Sequence, residues 1–389
     1  MNIVHTIQSL DPAMGGPPVV VTRLAAAQAS LGHRVTVYAY QSPGREEQIE
    51  KSLDGLPGRD SVDFRFITPG GKGELIFGNR ARDELRSVME DTDFLHTHSV
   101  WSTISRVAAQ AAREHSTPYT VCVHGMLDPW CMSQKRLKKQ LALRLSLNKM
   151  LDRSAFIHCL NKDEVGFVEA FGYAADLVTI PNGVFLEEFD PRPDFGNFRA
   201  ARPEIGDDPY VLFLSRLHYK KGLDYLADAF SKVASKFPDL KLVVAGPDGG
   251  AQGGFEQQLS EAGLSDRVLL TGPIYGQAKL EAVRDATMFC LPSRQEGFSI
   301  AITEALALGT PCVVTDACHY PEVAEVNAGF VTELNAQSVA DGIESILRST
   351  PEQREEMGEQ GRRLVKERFT WPVIAKQSIG VYERYTQSS

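Results

Sequence analysis

The 389-residue chain has no uninterrupted apolar run approaching the ~18 residues that a membrane-spanning helix requires. It opens on Met1-Asn2-Ile3-Val4-His5, a strand-like start without a basic region or an apolar leader core, so no secretory signal is expected. Basic charge is not in excess. The 41 Lys and Arg stand against 50 Asp and Glu, a net charge of −9 that disfavours general nucleic-acid binding. No C-x-x-C pair occurs. The six cysteines (Cys122, Cys131, Cys159, Cys290, Cys312, Cys318) are dispersed and read as reduced thiols of a cytoplasmic protein, not a disulfide or zinc framework. The histidines look equally dispersed. His96 and His98 alternate on one strand-like segment without a third ligand at metal spacing, so no metal site is expected. The chain also lacks G-x-G-x-x-G followed by an acid ending the second strand, which argues against a nicotinamide enzyme.

What is present is an ordinary globular balance, 43% hydrophobic and 23% charged, at a length that suggests two domains. Strand-like runs alternate with helical ones. Candidate strands are 2–7, 34–40, 63–67, 94–97, 119–123, 155–159 and 177–180, with a glycine- and proline-rich loop from Ser9 to Pro18 and a helix over 19–31. The rhythm breaks near Pro181-Asn182-Gly183. Residues 187–209 have no period and read as a linker. A second series follows, with strands at 210–215, 241–245, 268–271, 288–292 and 311–315 and helices at 223–236, 277–285 and 299–308. The alternation predicts an α/β protein with two Rossmann-like, doubly wound parallel sheets, and a ligand site at the carboxyl ends of the strands, in a cleft between the domains. The expected domains are 1–185 and 186–371, with a final helix 372–389 that could pack back on the first.

Four stretches carry candidate chemistry. Ser293-Arg294-Gln295-Glu296-Gly297-Phe298-Ser299 follows a buried strand and opens a helix, whose free amides and macrodipole suit an anion. Glu296 lies in the loop and Glu304 eight residues on, where carboxylates suit sugar hydroxyls better than phosphate; a capped helix with a solvated Glu explains the spacing equally. In Ser215-Arg216-Leu217-His218-Tyr219-Lys220-Lys221-Gly222, Arg216 offers a fork and Lys221 a point charge that could neutralise a departing diphosphate without a metal. The alternative is a solvated basic turn. Gly15 and Gly16 would let backbone approach a ligand closely. His124, at a strand's carboxyl end before Gly125, is placed to meet a substrate or to serve structure, and Asp128 reads as a turn former before Pro129.

Taken together and in order, these stretches resemble the family 4 glycosyltransferases, retaining, metal-independent enzymes of GT-B architecture, over nearly the whole chain. Glu296-Gly297-Phe298 with Glu304 is similar to the family's E-x7-E element, Arg216 and Lys221-Gly222 to its diphosphate-binding pair, Gly15-Gly16 to its glycine loop, and Pro181-Asn182-Gly183-Val184 to its interdomain segment. The resemblance implies hexosyl transfer from a UDP- or GDP-linked sugar to a glycan or lipid-linked acceptor, in building surface polysaccharide. No separate cofactor is implied. Glu304 would bind ribose hydroxyls. Glu296 would hold the donor sugar, near Gly297, Phe298 and Ser299. Arg216 and Lys221 would stabilise the leaving diphosphate, His124 would contact the sugar or reaction centre, and the backbone around Ile274-Tyr275 would read the base. No side chain need act as nucleophile. Asp91-Thr92-Asp93 imitates a metal-binding D-x-D but reads as a turn and cap. A sugar-nucleotide epimerase or a non-catalytic nucleotide-sugar binder are the alternatives.

Between Lys135 and Arg153 lie seven basic residues and one acid, with leucines at helical spacing. Such a helix on an acidic protein either docks on an anionic membrane surface at the inner leaflet or packs with a solvated basic face. The loop 41–60, rich in Pro, Gly and charge, is expected to shape the acceptor side.

Overall fold

The computed structural model describes residues 1–71 and 73–387. The chain forms two compact units, Met1–Asn182 with Trp371–Ser389, and Gly183–Thr370. The first holds seven parallel strands: β1 Asn2–Ile7, β2 Arg34–Tyr40, β3 Val62–Ile67, β4 Phe94–His98, β5 Tyr119–Cys122, β6 Phe156–Cys159 and β7 Asp176–Thr179. Their order is β3-β2-β1-β4-β5-β6-β7. Strands β4, β5 and β6 are buried along their whole length, because crossover helices such as Gly16–Ser30 and Thr103–Glu114 cover the sheet. The last helix, Trp371–Thr386, belongs to this unit; its Tyr382 ring stacks on Phe94 with centroids 4.1 Å apart.

The second unit holds six parallel strands: β8 Tyr210–Leu214, β9 Lys241–Ala245, β10 Val268–Gly272, β11 Met288–Leu291, β12 Cys312–Thr315 and β13 Gly329–Thr332, in the order β10-β9-β8-β11-β12-β13. Both parallel sheets expected from the alternation are therefore present. The strand order reverses at β1/β4 in one unit and β8/β11 in the other, the places where loops part and leave a crevice.

Several expectations need correction. The first helix starts at Gly16, not Val19; Gly15, at φ 98°, caps it and Pro17-Pro18 suit its first turn. Residues 187–209 are no linker. They fold into the second unit, where buried Asp285 accepts the amides of Gly196, Phe198 and Arg199 and so starts the short helix Asn197–Ala201. The stretch 41–60 contains a helix, Glu46–Leu53, anchored by buried Ile49 and Leu53. Strand β13 and the helix Ala336–Arg348 were missed. β13 opens on a glycine, and only a glycine fits, since a Cβ on Gly329 would lie 1.9 Å from the Cys312 carbonyl oxygen at φ 151°. In the D-x-D look-alike, Asp93 Oδ2 accepts the Asn2 amide at 2.7 Å and pins the start of β1. All six cysteines are free thiols; five are buried, and Cys131 is half-buried.

Candidate active site

In the second unit the reversal point joins the loop after β8 to the loop after β11. Lys221 Nζ lies 2.6 Å from Glu296 Oε1, which also accepts from Ser293 Oγ at 2.5 Å. Lys220 Nζ reaches Gln295 Oε1 at 2.7 Å, and the Arg294 amide donates to the Lys220 carbonyl at 2.7 Å. Arg294 pairs with Asp224 and lies between the rings of Tyr219 and Tyr225, 4.1 and 4.3 Å from their centroids. Gly222 makes this closeness possible. It turns at φ 67°, and a Cβ there would stand 1.9 Å from the Pro292 carbonyl oxygen.

Arg216 stands apart. Its side chain is exposed, and among the described residues its guanidinium has no ion-pair or hydrogen-bond partner. A Cβ on Gly249 would lie 3.0 Å from Arg216 Cγ and Cδ, so its stem packs on that glycine. Burial first, and then the charges of Arg216, Lys220 and Lys221, lower the pKa of His218.

Glu304 lies in the second turn of the helix Ile300–Leu308 and accepts from Lys279 Nζ at 2.7 Å. Lys279 belongs to the helix Gly276–Arg284, directly after Ile274 and Tyr275; the latter's side chain is exposed. The Glu296 amide is taken by the Ala317 carbonyl. Among the described residues no hydrogen bond occupies the amides of Phe298 and Ser299. The Phe298 ring packs against Tyr320 and Phe369. Arg216, Lys221, Glu296 and the loop 297–299 thus share one sheet edge. Lys221, Ser293 and Lys279 are the partners that the sequence reading did not assign to the two glutamates.

In the first unit, Gly15 and Gly16 have open space where a Cβ would project. His124 follows β5 at φ 48°, in a turn continued by Gly125 at φ 70°. Buried Glu164, not anticipated, fixes this turn by accepting the Gly125 and Leu160 amides. Burial raises its pKa to about 7 against the pull of those amides. Asp128 caps the helix Pro129–Ser133 through the Cys131 amide at 2.7 Å, as a turn former should.

The histidines are not dispersed. The register pairs His5 with His96, His98 with Cys122 and Cys122 with His158, and the two-residue pleat puts them on one face of the sheet. Buried His5, His96, His98 and His158 and half-buried His124 form a contiguous group, with His5–His96–His98, His96–Cys122–His158 and His98–Cys122–His124 each holding ligand atoms within 4.8 Å. A missing third ligand is therefore no argument against a metal, because the other candidates arrive from separate strands. The ring nitrogens sit 3.0–3.2 Å from one another in the pairs His5–His98, His98–His124 and His96–His158, the spacing of hydrogen bonds. Burial, first of all, pulls every one of these pKa values down: to about 4 at His5 and His158, to about 3 at His124, and well below the ordinary value at His96 and His98.

Residues 15–183 match the glycosyl transferase 4-like domain and residues 194–364 the glycosyl transferases group 1 family. The phosphatidyl-myo-inositol mannosyltransferase of Mycobacterium tuberculosis (strain H37Rv) is 32% identical over 95% of this chain and 93% of its own. Among solved structures, Anabaena HepE in complex with UDP and glucose superposes with a TM-score of 0.77 at 20% identity, covering 99% of this chain and 100% of that one. Sucrose-phosphate synthase from Thermosynechococcus elongatus gives 0.79 at 21% identity over 100% of both chains. With both halves matched in order and a full-length relative at this identity, the chain belongs to the family 4 type of glycosyltransferases, built on the GT-B pair of Rossmann-like domains.

Proposed function

We propose that this chain moves a hexosyl unit from a UDP- or GDP-linked sugar to a lipid-linked or glycan acceptor, with retention of configuration and without a metal ion. The observation that carries the reading is Arg216, an exposed cation without a partner among the described residues, on the same loop as Lys221. The two supply fixed positive charge for a diphosphate, whose negative charge grows as the glycosidic bond breaks. Glu304 takes the ribose hydroxyls and Glu296 the sugar hydroxyls, exchanging their lysine partners for the donor. The Phe298 and Ser299 amides meet its anionic part, Gly15 and Gly16 let backbone come close to it, and Ile274 lies by the base. His124 is the first unit's contact to the sugar or reacting centre. The acceptor hydroxyl attacks from the leaving-group side, so no side chain serves as nucleophile. The UDP and glucose in the HepE complex support a nucleotide-sugar donor.

The acceptor side is read from residues 135–153. This segment is helical, with a wider turn over Leu143–Leu147. Leu143, Leu147, Met150 and Leu151 face the core, while Leu137, Leu141 and Leu145, at four-residue steps, are 82%, 58% and 74% exposed. Arg136, Lys138, Arg144 and Lys149 flank that stripe. An exposed apolar stripe edged with cations suits the interface of an anionic leaflet, where a lipid acceptor would be met. The phosphatidyl-inositol in the mycobacterial relative's name supports such an acceptor. The test is a panel of nucleotide sugars with EDTA, read by mass spectrometry with and without acceptor. Acceptor-dependent transfer of one sugar in EDTA is expected. Turnover that stops on chelation, or that needs no acceptor, contradicts the reading.

A further inference from the structure

The buried histidines lie in a chain of hydrogen bonds whose direction can be worked out from its fixed ends. The Ser378 hydroxyl donates to the Ala375 carbonyl at 2.8 Å, so its oxygen must accept from Gln28, 2.9 Å away. That sets the amide of Gln28: nitrogen toward Ser378, oxygen toward His5. His5 Nε2, 2.7 Å from Gln28 Oε1, must then carry the proton, which leaves His5 Nδ1 to accept from His98 Nε2 at 3.0 Å. His98 Nδ1, in turn, accepts from His124 Nε2 at 3.1 Å.

The other end gives the same answer independently. The Ile180 carbonyl can only accept, so His158 Nε2 donates to it at 2.7 Å, and His158 Nδ1 accepts from His96 Nε2 at 3.2 Å. His96 Nδ1 therefore accepts the Tyr382 hydroxyl proton at 2.7 Å. The Tyr382 oxygen is then left to accept from Gln28 Nε2 at 3.2 Å, the orientation that Ser378 already demands. Among the described residues every ring nitrogen of the five is engaged except His124 Nδ1.

We infer that His98, His5 and Gln28 are positioning residues that lock His124 as its Nε2–H tautomer and leave the Nδ1 lone pair to accept a hydroxyl from the bound ligand. A metal ion would need lone pairs that this chain has already committed to hydrogen bonds. Desolvation keeps the four buried rings and half-buried His124 neutral, so His124 acts as a fixed acceptor and not as a proton carrier. Naming the ligand as a sugar rests on the proposed function above; the tautomer does not.

The experiment is nitrogen-15 NMR of the full chain labelled at histidine, with assignment by single substitution. At pH 7.5 His124 should show a protonated Nε2 and a bare Nδ1. His98→Phe should mix its tautomers and lower kcat/KM for the donor by about tenfold, the cost of one misdirected hydrogen bond, with the Kd for nucleoside diphosphate unchanged. Tyr382→Phe breaks the other branch and removes one of the two acceptors of Gln28 Nε2, but Ser378 still sets that amide, so His124 should stay as in the parent chain. An Nδ1–H tautomer or an imidazolium at His124 overturns the inference, as does stoichiometric transition metal in the purified protein. The spectrum decides even if His98→Phe fails to fold or no nucleotide sugar is turned over, and transfer with the wrong tautomer would sink this inference alone.

Discussion

Lys221 and Glu296 form a 2.6 Å ion pair between the loops after β8 and β11, with the glutamate side chain only 9% exposed and also held by Ser293. In the proposed reaction the two groups have different clients, the lysine a diphosphate and the glutamate a sugar. Without a donor each holds the other in place. Glu296→Gln should therefore release Lys221 for phosphate and cost the sugar a charged acceptor. The expected outcome is nucleoside diphosphate binding as tight as in the parent chain or tighter by calorimetry, with transfer slowed at least about tenfold. Weakened diphosphate binding would contradict it.

Glu304 and Lys279 make a second such pair. Glu304→Gln should weaken nucleoside diphosphate binding by about tenfold, a charged hydrogen bond's worth, because a ribose hydroxyl loses a carboxylate. Equal affinity in a calorimetric titration would remove Glu304 from the nucleotide site.

Gly222 carries a structural prediction. Gly222→Ala puts a methyl group where the Pro292 carbonyl oxygen stands, at a φ that alanine avoids. The loops must part, and thermal unfolding should show a loss of about 1–3 kcal/mol together with lost activity. An unchanged Tm would mean that the loops after β8 and β11 are not held as described.

Stability should depend on pH in a definite direction. The five histidines of the network have folded pKa values below 6.5, so the unfolded chain binds protons that the folded chain refuses as pH falls through 6.5. Each contributes stability above that pH and loses it below, at up to about 1.4 kcal/mol per pH unit. Glu164, raised to about 7, works the other way between its unfolded value and 7, but it is one group against five. Urea unfolding should show a lower stability at pH 5.5 than at 7.5; a flat or rising profile toward acid contradicts the buried network.

How much of this was readable beforehand differs by element. The β8 and β11 loops announce themselves, because Arg216, Lys221, Glu296 and Glu304 lie on short stretches directly after apolar runs. The histidine chain does not. His5, His96, His124 and His158 are far apart in sequence, and only the parallel register aligns them. Glu164 was equally hidden, since its role is set by the amides of a turn 39 residues away. Residues 187–209 read as a linker because their order comes from a distant acid, Asp285, and not from a period of their own.

Membrane docking has its own test. Flotation with anionic liposomes at low salt should carry the chain upward, and Leu137→Gln with Leu141→Gln and Leu145→Gln should leave it at the bottom without loss of fold, since all three are exposed. No flotation of the parent chain ends the membrane reading.

The central claim is that two fixed cations draw off the charge of the leaving diphosphate. The direct measurement is the rate of sugar transfer by Arg216→Ala with Lys221→Ala, at saturating donor and with folding checked by Tm. The account predicts a loss of at least about a hundredfold, comparable to removing one strong donor to a developing anion. A double variant that transfers sugar at the parent rate would contradict it.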